Sequence, residues 1–249
     1  MRAILTLALF LFSGPALAQE KFIGSNVDLR TSLSFKASDA AVQKLLPEGW
    51  EINSPTAGPS KGANLTVTLL EQVLSYDAAG KPAETSRGVA FSIPAKKKGT
   101  DSTGGMVFGG LFDSVGTPGA YGVYSLAQIA IDRRAQTGAD KKLTKEEHWQ
   151  LRADGESIEV QIQFAPGVPT ISKINANVHA AAKPEFYRIY RLEQAVDVLR
   201  STATGVDRIT KFSFKASGDK LGQLFDGTEQ LISVTSVPWY SRQLYLPGS

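Results

Sequence analysis

Residues 149–164 read Trp-Gln-Leu-Arg-Ala-Asp-Gly-Glu-Ser-Ile-Glu-Val-Gln-Ile-Gln-Phe. From Ile158 to Phe164 every second residue is apolar, and the residues between are Glu159, Gln161 and Gln163. A strand points successive side chains to opposite faces, so this run predicts one buried face and one wet face. Asp154-Gly155 is a turn pair that folds the run back on Trp149-Gln150-Leu151 as a hairpin. The same alternation occurs at Leu65, Val67 and Leu69. Arg208 to Lys215, Gln230 to Val237 and Trp239 to Leu246 read as further strands. Gly and Pro punctuate the remainder, which suits a β-barrel or sandwich with many turns.

Helices are expected to be few. Ser38 reads as an N-cap with Asp39 in the first turn, Val42, Leu45 and Leu46 as the apolar face, and Pro47 as the stop. Ser217 to Phe225 and Glu193 to Arg200 are further helix candidates. Ser-Phe-Lys-Ala-Ser occurs twice, at 34–38 and 213–217, followed in kind by Val42, Leu45 and Leu46 and by Leu221, Leu224 and Phe225. Duplication and two independent uses of a strand-to-helix junction both account for this. Residues 94–119 carry Lys96-Lys97-Lys98 and a glycine-rich run, and read as a long loop of the kind that serves as a lid or an interface. The interface reading leaves a homo-oligomer open.

The 249 residues include 27 basic and 24 acidic side chains, a net charge of +3, and no cysteine. This excludes disulfides and thiol nucleophiles and argues against disorder and a nucleic-acid partner. Residues 1–18 read as a signal peptide. Arg2 precedes an apolar run from Ile4 to Phe12, and Ala16-Leu17-Ala18 forms a peptidase site, so cleavage is expected before Gln19. The expected mature protein is residues 19–249, a single domain without a membrane span, periplasmic or secreted. Neither His148 nor His179 has metal-ligand spacing, so no metal, no cofactor and no serine triad are expected.

What remains is lysine chemistry. Gly138-Ala139-Asp140-Lys141-Lys142-Leu143 places two lysines side by side before the hairpin. A lysine amine becomes a nucleophile when a neighbouring cation or a dry pocket lowers its pKa. Two lysines at a turn are also an ordinary solvated feature.

In this setting the sequence resembles the acetoacetate decarboxylase-like superfamily. Phe35 to Ile52, with Leu45-Leu46-Pro47-Glu48-Gly49, looks like that family's early segment. Gly80-Lys81-Pro82-Ala83-Glu84 keeps the ends of a Gly-Pro-Tyr-x-Glu-like pattern. Arg134, Lys141, Lys142 and Leu143 stand in register with a Gly-Arg-Glu-x-x-Gly-x-Pro-Lys-Lys-Leu stretch. In outline the resemblance covers most of residues 27–246. It implies a mainly β fold, an antiparallel barrel or cone with a few helices and an apolar interior pocket. It also implies Lys141 as the Schiff-base lysine, Lys142 as its neighbouring cation, Glu84 as a proton-handling group, and Arg134 as the group orienting a substrate carboxylate. The pattern departs at Pro82, Arg133, Ala135 and Asp140. A carboxylate beside Lys141 raises rather than lowers a lysine pKa. Two functions stay open: a lyase acting on a small keto acid through a lysine imine, and a non-catalytic protein holding a small organic acid or apolar molecule. A third is an assembly role for residues 94–119.

Overall fold

The computed structural model describes residues 19–114, 117–153 and 155–248. The expected leader and Asp154 of the expected hairpin turn lie outside them. The elements in chain order are β1 (Lys21–Lys36), α1 (Asp39–Gln43), β2 (Trp50–Ile52), β3 (Leu65–Asp77), β4 (Arg87–Lys97), β5 (Thr103–Phe112), β6 (Tyr124–Leu126) and β7 (Gln128–Thr137). They continue with β8 (Leu143–Ala153), β9 (Glu156–Phe164), β10 (Thr170–Ala180), β11 (Lys183–Ser201), β12 (Val206–Asp207), β13 (Ile209–Ser217) and β14 (Gln230–Leu246).

These strands build a ten-stranded sheet in the order β2-β4-β3-β1-β14-β11-β10-β5-β6 with β12 on β11, and a four-stranded sheet in the order β13-β9-β8-β7. An added β4–β5 pairing bends the larger sheet into a ring. Most pairings are antiparallel, but β10–β5 and β5–β6 are parallel. The β10–β5 seam consists of three register pairs, Val178↔Gly105, His179↔Met106 and Ala180↔Val107.

The alternation in the sequence accounts for the layering. On β3, Leu65, Val67 and Leu69 join the main core, together with Phe91 and Ile93 of β4 and Met106 of β5. That face packs against Trp149, Leu151, Ile158, Val160, Ile162 and Phe164 of the four-stranded sheet. The opposite residues of the same strands, Thr68 and Leu70, Ala90 and Ser92, Gly105 and Val107, line a cavity inside the ring. One set of strands therefore carries the core on one face and the cavity on the other.

Three expectations need correction. The segment 94–119 is largely strand: β4 runs on to Lys97, a turn follows, and β5 spans Thr103–Phe112. Two of its glycines answer close approach. A Cβ on Gly104 would lie 2.4 Å from the Asn177 carbonyl oxygen, and one on Gly110 would lie 2.5 Å from that of Val89. Residues 193–200 are part of β11, where ladders on both sides override a weak helical preference. Within 217–225 only Leu221–Gln223 winds, as one 3-10 turn. The first helix starts where expected, with the Ser38 side chain accepting from the Ala41 N–H and Val42 fully buried, but it ends at Gln43, and Leu45 and Leu46 follow in a turn. The two strand runs at 230–246 are one strand with irregular register near Pro238.

Candidate functional site

The cavity inside the ring measures about 430 Å³, within the ordinary range for small-molecule sites. Every strand of the ring contributes to its wall, and residues 117–124 close one side through Tyr121 and Tyr124. Its charged and phenolic wall includes Arg30 on β1, Arg188 and Tyr190 two apart on β11, and Tyr240 and Arg242 two apart on β14. Spacing by two keeps each set on one face of its strand.

These groups form a connected network. Asp28 is completely buried and accepts from Arg30 through both Nε, at 3.0 Å, and Nη2. Asn26 donates to the same Asp28 carboxylate through Nδ2, and its Oδ1 accepts from Arg242 Nε at 2.6 Å. The Arg30 guanidinium lies 3.4 Å from the Tyr240 ring centroid, and that of Arg242 lies 4.4 Å from the Tyr190 ring. The Tyr190 hydroxyl bonds to that of Tyr121, which ties the 117–124 segment to the wall. Arg188 sits 5.9 Å from the Tyr121 ring, and its buried Nε has no hydrogen-bond partner among the described residues.

Burial pushes the Tyr121 phenol well above its ordinary value, and the neighbouring Tyr190 and Tyr124 add to the effect. Tyr124 is raised for the same first reason, burial, with Tyr190 next. Both remain neutral hydroxyls at ordinary pH. Burial acts to lower the Arg242 pKa, but Tyr190, Tyr240, Asp28 and Tyr121 outweigh it and the net direction is up. Arg242 stays a cation. No lysine and no carboxylate stands among the described residues lining the cavity. A half-open space walled by guanidiniums and neutral phenols has the chemistry to accept an anion.

No protein-family model matches the chain, and no curated protein matches it. Solved structures do. An acetoacetate decarboxylase-like enzyme from Sphingomonas wittichii RW1 superposes with a TM-score of 0.59 at 11% identity, over 97% of this chain and 99% of that one. The chain has the acetoacetate decarboxylase-like fold. The enduracididine biosynthesis enzyme MppR, solved in complex with pyruvate, matches with a TM-score of 0.52 at 11% identity, over 94% of this chain and 92% of its own. MppR holding the condensation product of pyruvate and imidazole 4-carboxaldehyde matches with a TM-score of 0.51, also at 11% identity, over 94% and 90%.

On this decarboxylase-like scaffold the residues singled out from the sequence stand apart from one another. Lys141 occupies the β7–β8 turn with φ of 61° and an exposed side chain. Lys142 beside it is 83% exposed, with Nζ 3.5 Å from Asp140. Glu84 is exposed between β3 and β4. Arg134 pairs with Asp132 at 2.7 Å, a bond that raises its pKa, and lines a different cavity of about 270 Å³ beside Arg133 and Glu147. None of the four lines the cavity inside the ring. The residues that do line it carry a signal that the sequence reading passed over. Arg188 and Tyr190, and Tyr240 and Arg242, are cationic and phenolic pairs spaced by two within strands, and Arg30 follows two residues after Asp28, which lies outside the lining.

Other chemistry-bearing residues have structural partners. His148 Nε2 lies 3.1 Å from Glu159, and His179 Nδ1 lies 3.1 Å from the Pro184 carbonyl. Gly58-Pro59-Ser60-Lys61-Gly62 has the form of a nucleophile elbow. It lies in consecutive turns instead of between a strand and a helix, so it lacks the elbow's setting. Among the described residues no group of three or more His, Asp or Glu is placed to hold a metal.

Proposed function

We propose that this chain binds a small organic acid inside the ring, with the acid's carboxylate on the arginines of the wall. The observation that carries this reading is the imbalance of charge: Arg30, Arg188 and Arg242 line the space and no acidic residue does. MppR, which shares the fold, has been solved with pyruvate, a keto acid, and this supports the class of ligand. The proposal includes export, with the ligand met outside the cytoplasm after cleavage before Gln19.

Titration calorimetry with pyruvate and butyrate, against 1-butanol as the neutral control, tests the reading. The acids bind and the alcohol does not; acids that release no heat and give no thermal shift overturn it. Borohydride trapping with pyruvate followed by peptide mass mapping tests the rival imine at Lys141. Lys141 is exposed at a turn and outside the cavity inside the ring, so the expected result is no adduct there. Terminal sequencing of protein from a periplasmic fraction tests export; a chain that begins at Gln19 supports it.

A further inference from the structure

We infer that the ligand is a dicarboxylate, a conclusion that rests on the acid-binding reading and narrows it. The cavity wall carries three guanidiniums. The nearest acidic group bonded to any of them is Asp28, and Arg30 claims it with two nitrogens. Arg242 meets that carboxylate only across Asn26, a neutral amide. Arg188 has an ion pair with no described residue, and its buried Nε has no acceptor. Two positive charges are left for the contents of the cavity to balance. Arg188 and Arg242 are half-buried, and a guanidinium partly withdrawn from water without a counter-charge is destabilising, so an occupant with two negative charges fits better than one with a single charge.

The placement of the two arginines favours two separate carboxylates over one dianionic head. Arg242 stands across the ladder from Leu192, four residues along β11 from Arg188, so the two forks enter the cavity from separate positions. A planar guanidinium matches a planar carboxylate with two parallel hydrogen bonds. Leu70, Val107, Val178 and Leu192 supply apolar wall for a short carbon chain.

The test compares succinate with butyrate on the whole protein by calorimetry at low salt, with propyl phosphate as a third arm. A charge-assisted hydrogen bond predicts that succinate binds at least about tenfold more tightly than butyrate. Arg188→Gln should weaken succinate by about tenfold more than it weakens butyrate, bringing the two affinities together. Arg188→Lys, which keeps the charge but not the fork, should retain part of the preference. Equal affinity for succinate and butyrate in the unmodified chain overturns the dicarboxylate and leaves the acid-binding reading standing. Tighter binding of propyl phosphate than of succinate overturns the two-station arrangement. A preference that survives intact in Arg188→Gln overturns the assignment of Arg188. No binding of any of the three overturns the parent reading as well. The comparison on the unmodified protein decides the ligand class even where a variant fails to fold.

Discussion

Asp28 has no contact with solvent, yet both Arg30 and Asn26 direct hydrogen bonds into it. Removing the carboxylate leaves the Arg30 guanidinium, itself 13% exposed, without its partner. Asp28→Ala should therefore cost about 3 kcal/mol, read as a lowered urea midpoint with an unchanged slope. His179 gives a pH-dependent counterpart. Burial lowers its pKa, with Lys97 pushing the same way and the bond to the Pro184 carbonyl opposing. The rings of Trp50 and Tyr187 pack on it at 4.7 and 5.0 Å. The unfolded chain then takes up a proton more readily than the folded one. The stabilisation is complete above the unfolded value of 6.5 and is lost as pH falls from there toward the lowered folded value. His179→Gln should flatten the slope of stability against pH below 6.5, while His148, present in both proteins, cancels in the difference. At this scale the sequence pointed to residues that do not line the cavity inside the ring. Lys141 and Lys142 drew attention as a pair, but the chain turns there and leaves both in water. Arg30, Arg188 and Arg242 lie more than fifty residues apart in places, and only the ring brings them together.

At the scale of elements the alternating pattern told most of the story. β9 and β3 could be read from every second residue, and Ser38 marked the helix start. β5 was hidden because Thr103-Gly104-Gly105-Met106-Val107-Phe108-Gly109-Gly110 has the composition of a loop. Gly104 and Gly110 are set by neighbouring backbone, which no local pattern reveals. Gly104→Ala would force a Cβ to within 2.4 Å of the Asn177 carbonyl and 3.1 Å of the His179 ring, next to the β10–β5 seam. The expected cost is about 1–3 kcal/mol, with faster amide exchange in β10 than in β9. Equal exchange in the two strands would show that the strain spreads instead of settling at the seam. The β11 segment misled for another reason: its residues 193–200 tolerate either state locally, and the ladders to β10 and β14 decide.

For the whole molecule, the repeated Ser-Phe-Lys-Ala-Ser is where the two sheets meet. Phe35 of the ring and Phe214 of the four-stranded sheet lie 5.0 Å apart, and Phe225 packs edge-on to Phe35 at 5.3 Å and tilted against Phe214 at 4.8 Å. Phe35→Ala should cost about 3–5 kcal/mol. The double change with Phe214→Ala should cost less than the two single changes added, because the rings share one contact. Additive costs in thermal melts would mean that the rings act independently. Among the described residues no helix is long and apolar enough to cross a membrane. The ring itself closes through the shortest of its main pairings, the three residue pairs between β10 and β5. A closed ring has no borders, but one that parts there becomes an open ribbon with two unsatisfied rims, and a rim on one copy can zip to its mate on another. The same few bonds that shut the chamber thus also keep neighbouring molecules from knitting together.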